Sequence, residues 1–149
     1  MSMESTDPAT LAPRDLAVYV KRTPAAELRE LMTGERRTAV LEEVFRRMPD
    51  VFRADRAGGL DAVIHWVIGD LPGGGADRYE LVIADGVCRV SPQPDREPKL
   101  TLTIGAVDFL MVVTGNAHPV VLVMKGRLRT KGDVALTAKF PGLFDVPKV

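Results

Sequence analysis

One cysteine, Cys88, stands among 149 residues, which excludes an intramolecular disulfide and a cysteine-based metal cluster. Neither sign of charge is in excess, with 20 Lys and Arg against 20 Asp and Glu. A dedicated nucleic-acid binder carries a basic surplus, because phosphate neutralisation supplies most of its affinity; no nucleic-acid partner is expected. The longest apolar run, PVVLVM at 119–124, falls far short of the roughly 20 residues that cross a bilayer. MSMESTDPATLAPRD at the start has no basic segment leading into an apolar one, and DVPKV at the end is no peroxisomal address. A cytoplasmic location is therefore expected. No Gly-x-Ser-x-Gly, His-Glu-x-x-His or phosphate loop occurs, and PGGG at 72–75 lacks the Lys-Ser/Thr that a phosphate loop requires. No catalytic residue, cofactor or metal ligand is read from these motifs.

What is present describes one domain. A chain of this length buries roughly 70% of its unfolded surface, and 46% of its residues are hydrophobic. Residues 1–9 are polar and read as a flexible tail; residues 10–50 read as helices. In TPAAELRELM, Thr23 is expected as N-cap, Pro24 as first helical residue and Gly34 as terminator. ERRTAVLEEVFRRM carries Val40, Leu41, Val44, Phe45 and Met48 on one face. Its charged residues, Arg36, Arg37, Glu42, Glu43, Arg46 and Arg47, are expected on a solvated face, with Pro49 as the stop.

After RADRAGG at 53–59 the period changes to that of strands. DAVIHWVIG sets Ile64, Trp66 and Ile68 against Val63, His65 and Val67. YELVIADG turns Tyr79, Leu81 and Ile83 one way and ends in an Asp85-Gly86 hairpin. KLTLTI points Leu100, Leu102 and Ile104 inward. Two short helices follow, AVDFLMVVTG and HPVVLVMKG, with His118 helping to start the second. RLRTK is the last strand, and Asp133 caps a final helix. Asp70, Asp77 and Asp85 are expected to cap backbone in turns. Lys125, Arg127, Arg129 and Lys131 alternate with smaller residues, the pattern of a sheet's wet side. The order predicts an α+β domain with an antiparallel, mixed-edge five-stranded sheet covered on one face by helices, plus extra N-terminal helices. Cys88, on a strand, is expected to be small buried core.

The stretch GNAHPVVLVMKGRLRTKGD resembles the sterol carrier protein type 2 family, through Gly115, Pro119, Met124, Gly126-Arg127-Leu128-Arg129, Lys131 and Gly132-Asp133. LTLTIGAVDFLMVVTG and YELVIADG extend the likeness over residues 52–145. It implies binding and carriage of a hydrophobic small molecule (fatty acid, fatty acyl-CoA, phospholipid or sterol) without cofactor or metal. Transient membrane contact is compatible with that role. An apolar tunnel is implied against Trp66, Tyr79, Leu81, Ile83, Leu100 and Leu102. The opposite wall would be Phe109, Val112, Val113, Leu122, Met124, Leu136, Phe140 and Phe144, with Arg127, Arg129 and Lys131 as headgroup contacts. The alternative is an enzyme acting on a bacterial lipid or polyketide-like substrate in the same pocket, with Tyr79, His65 or Asp108 as its polar groups.

Overall fold

The computed structural model describes residues 7–146. Four helices come first: α1 (Pro13–Arg22), α2 (Ala25–Thr33), α3 (Arg37–Val51) and α4 (Ala54–Ala57). Strands β1 (Ala62–Ile68), β2 (Asp77–Ala84), β3 (Val87–Ser91) and β4 (Leu100–Ile104) follow. Helices α5 (Ala106–Val113) and α6 (Pro119–Met124), strand β5 (Leu128–Gly132) and helix α7 (Val134–Lys139) complete the order. The five strands form one sheet in the order β3-β2-β1-β4-β5. Its central pair, β1 and β4, is parallel, whereas the other three pairs are antiparallel. The expected antiparallel sheet is thus mixed at its centre. The β2–β3 hairpin occupies one side of β1, so the chain re-enters on the other side in β1's own direction.

The strand alternations sort as the sequence indicates. Ile64, Trp66, Ile68, Leu81, Ile83, Leu100 and Leu102 are buried under the helices. Asp85 and Gly86 both adopt positive φ, the geometry of the hairpin turn whose twist matches the strands. Asp133 accepts a hydrogen bond from the Leu136 N–H and His118 Nδ1 accepts one from Val120, opening α7 and α6. Gly132 has φ +110°, and a Cβ there would meet the Lys99 carbonyl oxygen at 2.2 Å, so only glycine lets β5 lie against β4.

Other local expectations shift. Pro24 is the N-cap of α2, while Thr23 ends α1 and bonds back to the Tyr19 carbonyl. Pro49 lies inside α3, which runs on to Val51; in a last turn a proline forfeits only one backbone bond. Of the expected tail, residues 1–6 lie outside the described ones, but Asp7 caps a 3-10 turn at Pro8–Thr10 with Pro8 buried. Only Arg129 and Lys131 of the four alternating cations lie on β5; Lys125 caps the end of α6.

The largest departure is Arg37, expected on a wet helix face and found 2% exposed. Its Nε donates to Asp77 Oδ2 at 2.9 Å, Nη1 to the Met32 carbonyl at 3.0 Å and Nη2 to the Ile68 carbonyl at 2.8 Å. Asp77, expected to cap a turn, is therefore the partner of a buried cation. Arg37→Met keeps the stem and removes all three bonds, leaving buried acceptors unpaired. We expect a loss of about 3 kcal/mol and a drop in Tm of roughly 6–12 °C, measured by thermal unfolding against the parent chain.

Candidate functional site: a cavity beside the sheet

Between sheet and helices, the space reserved by the resemblance for a tunnel is filled by rings. Tyr79 stacks on Phe45 with centroids 4.0 Å apart, and Phe45 lies 5.3 Å from Phe109. Phe109 meets Trp66 edge-on at 5.1 Å, and Trp66 meets Phe140 edge-on at 5.3 Å. Phe140 touches Phe144 at 5.0 Å, and Phe144 touches Phe52 at 5.7 Å. All five phenylalanines, the single tryptophan and one of two tyrosines thus form one unbroken file. It runs from β2 through the core to the C-terminal segment.

A cavity of about 460 Å³ opens at the far end of that file. Pro13 and Leu16 of α1 form one wall, and Val44, Arg47, Met48 and Val51 of α3 another. Val112 and Val113 with the turn Thr114–His118 form the third; Phe140, Pro141, Phe144, Asp145 and Val146 close it. Two backbone bonds hold the closing segment, Arg53 N–H to the Leu143 carbonyl and Asp145 N–H to the Val51 carbonyl, each 2.7 Å. Asn116 Nδ2 donates to the Ala17 carbonyl at 3.1 Å and so fixes α1 over the opening.

The residues named from the sequence divide accordingly. Val112, Val113, Phe140 and Phe144 line the cavity. Trp66, Leu81, Ile83, Leu100, Leu102, Phe109, Leu122 and Leu136 are buried in the core beside it, as is Tyr79 against Phe45. Met124 is 81% exposed on the surface. Arg127 is paired with Asp108, and Arg129 and Lys131 stand exposed on β5. Among the polar groups considered for chemistry, Tyr79, His65 and Asp108 line no part of the cavity. His65 Nε2 instead lies 3.0 Å from Glu80 on the opposite sheet face. Burial there disfavours the Glu80 carboxylate, but hydrogen bonds from the Arg96 N–H, His65 and the Arg96 side chain prevail and lower its pKa. Burial pushes the Cys88 thiol up to about 12, which leaves it unreactive. Among the described residues no group of three or more His, Cys, Asp or Glu could hold a metal ion.

Arg47 was not among the residues singled out as a site. Its Nε donates to Glu43 Oε2 at 2.6 Å and its Nη2 to the Leu11 carbonyl at 2.5 Å. Its third nitrogen, Nη1, is buried and has no partner among the described residues. Glu43 is shared with Arg46; the hydrogen bond from Arg46, then those from Arg47, hold its pKa down at about 2 against the upward push of burial. The sequence does hold a signal for Arg47, because Val44, Arg47, Met48 and Val51 recur at spacings that share one helical face.

An α+β domain with a helix-covered mixed sheet and a cavity closed by its C-terminal segment defines a class that the comparisons narrow. Residues 41–145 match the model of the SCP-2 sterol transfer family, and the chain belongs to that family. It is 25% identical over 129 residues to sterol carrier protein 2 of Bos taurus, covering 85% of this chain and 23% of that protein. The chain thus spans less than a quarter of that relative. The fold is similar to that of the stereoselective inverting sec-alkylsulfatase Pisa1 of Pseudomonas sp., with TM-score 0.63 and 18% identity over 72% of this chain and 17% of that one. It is also similar to palmitated SCP2L2 of Aedes aegypti, with TM-score 0.55 and 19% identity over 68% of this chain and 87% of that one. No helix among the described residues is long and apolar enough to cross a membrane.

A carboxylate with a depressed pKa stabilises the folded state fully above its ordinary value and loses that contribution as pH falls through the folded one. Glu43→Gln is therefore expected to be less stable than the parent at neutral pH. The gap should close as pH falls from 4.5 towards about 2, as followed by denaturant unfolding across that range.

Proposed function

We propose that the protein binds and carries a long-chain fatty acid or similar acyl molecule, with its apolar chain in the cavity and its anionic end at Arg47. The family supports lipid binding or transfer in general. The observation that carries the finer reading is Arg47 at the wall of the cavity, with an Nη1 that has no hydrogen-bond partner among the described residues. A buried donor without an acceptor is costly, and a carboxylate entering the cavity supplies one. Arg56, also at the wall, adds a second positive charge.

The cavity lies within the roughly 300–1,000 Å³ of pockets that enclose small ligands. Burying a chain of about fourteen methylenes gains roughly 11 kcal/mol gross, from which association and ordering subtract several. Phe140 forms part of the wall and is the ring that separates the cavity from Trp66. A chain too long for the cavity would press on Phe140 and disturb the single tryptophan. No observation favours the enzyme alternative over this reading.

Titration with saturated fatty acids, followed through Trp66 fluorescence and Tm, is expected to show saturable binding and stabilisation. Arg47→Leu should weaken a fatty acid by about tenfold or more while leaving the matching long-chain alcohol nearly unaffected. If fatty acids of every length leave both signals unchanged, the reading fails. A second variant, Phe140→Leu, is expected to shift the preferred chain length upward by opening space towards Trp66, seen as a changed rank order of affinities.

A further inference from the structure

We propose that Trp66 Nε1 and Thr137 Oγ1 form a polar subsite behind Phe140 that reads the far end of the ligand, and that the acyl chain it takes bears a hydroxyl or carbonyl at that end. The proposal rests on the reading of the cavity given above and adds to it the chemistry of the end opposite Arg47.

Among the described residues four polar or charged residues are buried: Arg37, Glu80, Thr114 and Thr137. Three of them are bonded. Arg37 donates to three acceptors, Glu80 is held by His65 and Arg96, and Thr114 Oγ1 donates to the Leu110 carbonyl at 2.6 Å. Thr137 is 1% exposed, and its hydroxyl has no hydrogen-bond partner among the described residues. The same holds for the indole Nε1 of Trp66, which is 0% exposed. A threonine in or at the end of a helix commonly bonds back to the carbonyl four residues earlier. Thr23, Thr33 and Thr114 do so at 2.6, 2.8 and 2.6 Å, whereas the Thr137 hydroxyl is turned elsewhere.

Position relates both groups to the cavity. Thr137 stands three residues before Phe140, and the 3-10 turn Phe140–Leu143 continues α7 directly, so the two share a side of that segment. α7 packs on β4 and β5, and Leu102 of β4 is the neighbour of Trp66 in register. Phe140 meets Trp66 edge-on at 5.3 Å and forms part of the cavity wall. A chain that displaces this one ring therefore arrives at Trp66, with Thr137 a turn away. A methylene end leaves both groups unbonded, which is costly. A hydroxyl both accepts and donates, so one such group can take the indole N–H and bond the Thr137 hydroxyl; a carbonyl oxygen can accept from both.

The test is calorimetric titration of the whole protein with hexadecanoic acid and with its ω-hydroxy derivative. At a purely apolar end the added hydroxyl weakens binding by about tenfold or more; we expect the derivative to bind at least as tightly as the plain acid. Thr137→Val keeps the side chain's shape and removes its hydroxyl. It should lower the affinity for the derivative relative to hexadecanoic acid by about fivefold or more, and without ligand it should melt at or above the parent's temperature. Trp66→Phe should lower the same ratio, with circular dichroism checking that it folds. If hexadecanoic acid binds while the derivative binds about tenfold more weakly, or if the ratio is indifferent to Thr137→Val, the subsite falls and the cavity reading stands. Ligand-free Thr137→Val melting several degrees below the parent would mean that the hydroxyl is already bonded, and overturns the proposal as well. Binding of neither acid defeats the cavity reading and this proposal with it.

Discussion

Arg37 sits where α2 has ended and α3 begins, with its charged head against the end of β1 and the start of β2. A guanidinium out of water is tolerable only when its donors are satisfied, and here the three acceptors come from three different elements. Sliding α3 along the sheet would strand the charge, so the site fixes helix position as well as contributing stability. That position propagates. Two to three turns further along α3, Val44, Arg47 and Met48 reach the cavity, and their placement follows from the end of the helix that Arg37 pins.

The file of aromatic rings explains why the cavity lies where it does. Rings pack well at the offset and edge-on distances seen from Tyr79 to Phe52, and this file occupies much of the space between sheet and helices. The cavity lies beyond Phe140, where helices and the C-terminal segment meet. One wall there is α1, which lies outside the residues matched by the family model. The shape of the cavity is thus partly a property of this chain's own N-terminal helices, held by the contacts of Arg47 with Leu11 and of Asn116 with Ala17.

Period and punctuation made most of the fold legible. Strand alternation at Ile64–Ile68 and Leu100–Ile104, the Asp85-Gly86 turn and the caps at His118 and Asp133 are local signals, and local physics honours them. The parallel pairing of β1 with β4 is not local: alternation states which face is buried but not which neighbour lies alongside. Arg37 was illegible for a related reason. A charged residue in a helix reads as solvated unless its partners are known, and those partners are two backbone carbonyls and an aspartate forty residues on. The site was legible in part, because Val112, Val113, Phe140 and Phe144 were marked as apolar wall. Six strand residues were marked as well, since half-buried alternation describes packed core and ligand wall equally.

Arg47 also bears on how firmly such a cavity can hold its contents. Two of its nitrogens are already engaged, and Glu43 offsets much of its charge, so the remaining Nη1 offers one charge-assisted bond rather than a bidentate clamp. Under the proposed function, affinity then comes chiefly from methylenes leaving water, while the single bond sets which end of the molecule faces the turn Thr114–His118. That division suits exchange. Burial of a chain is lost progressively as it slides out, whereas a clamp must break at once.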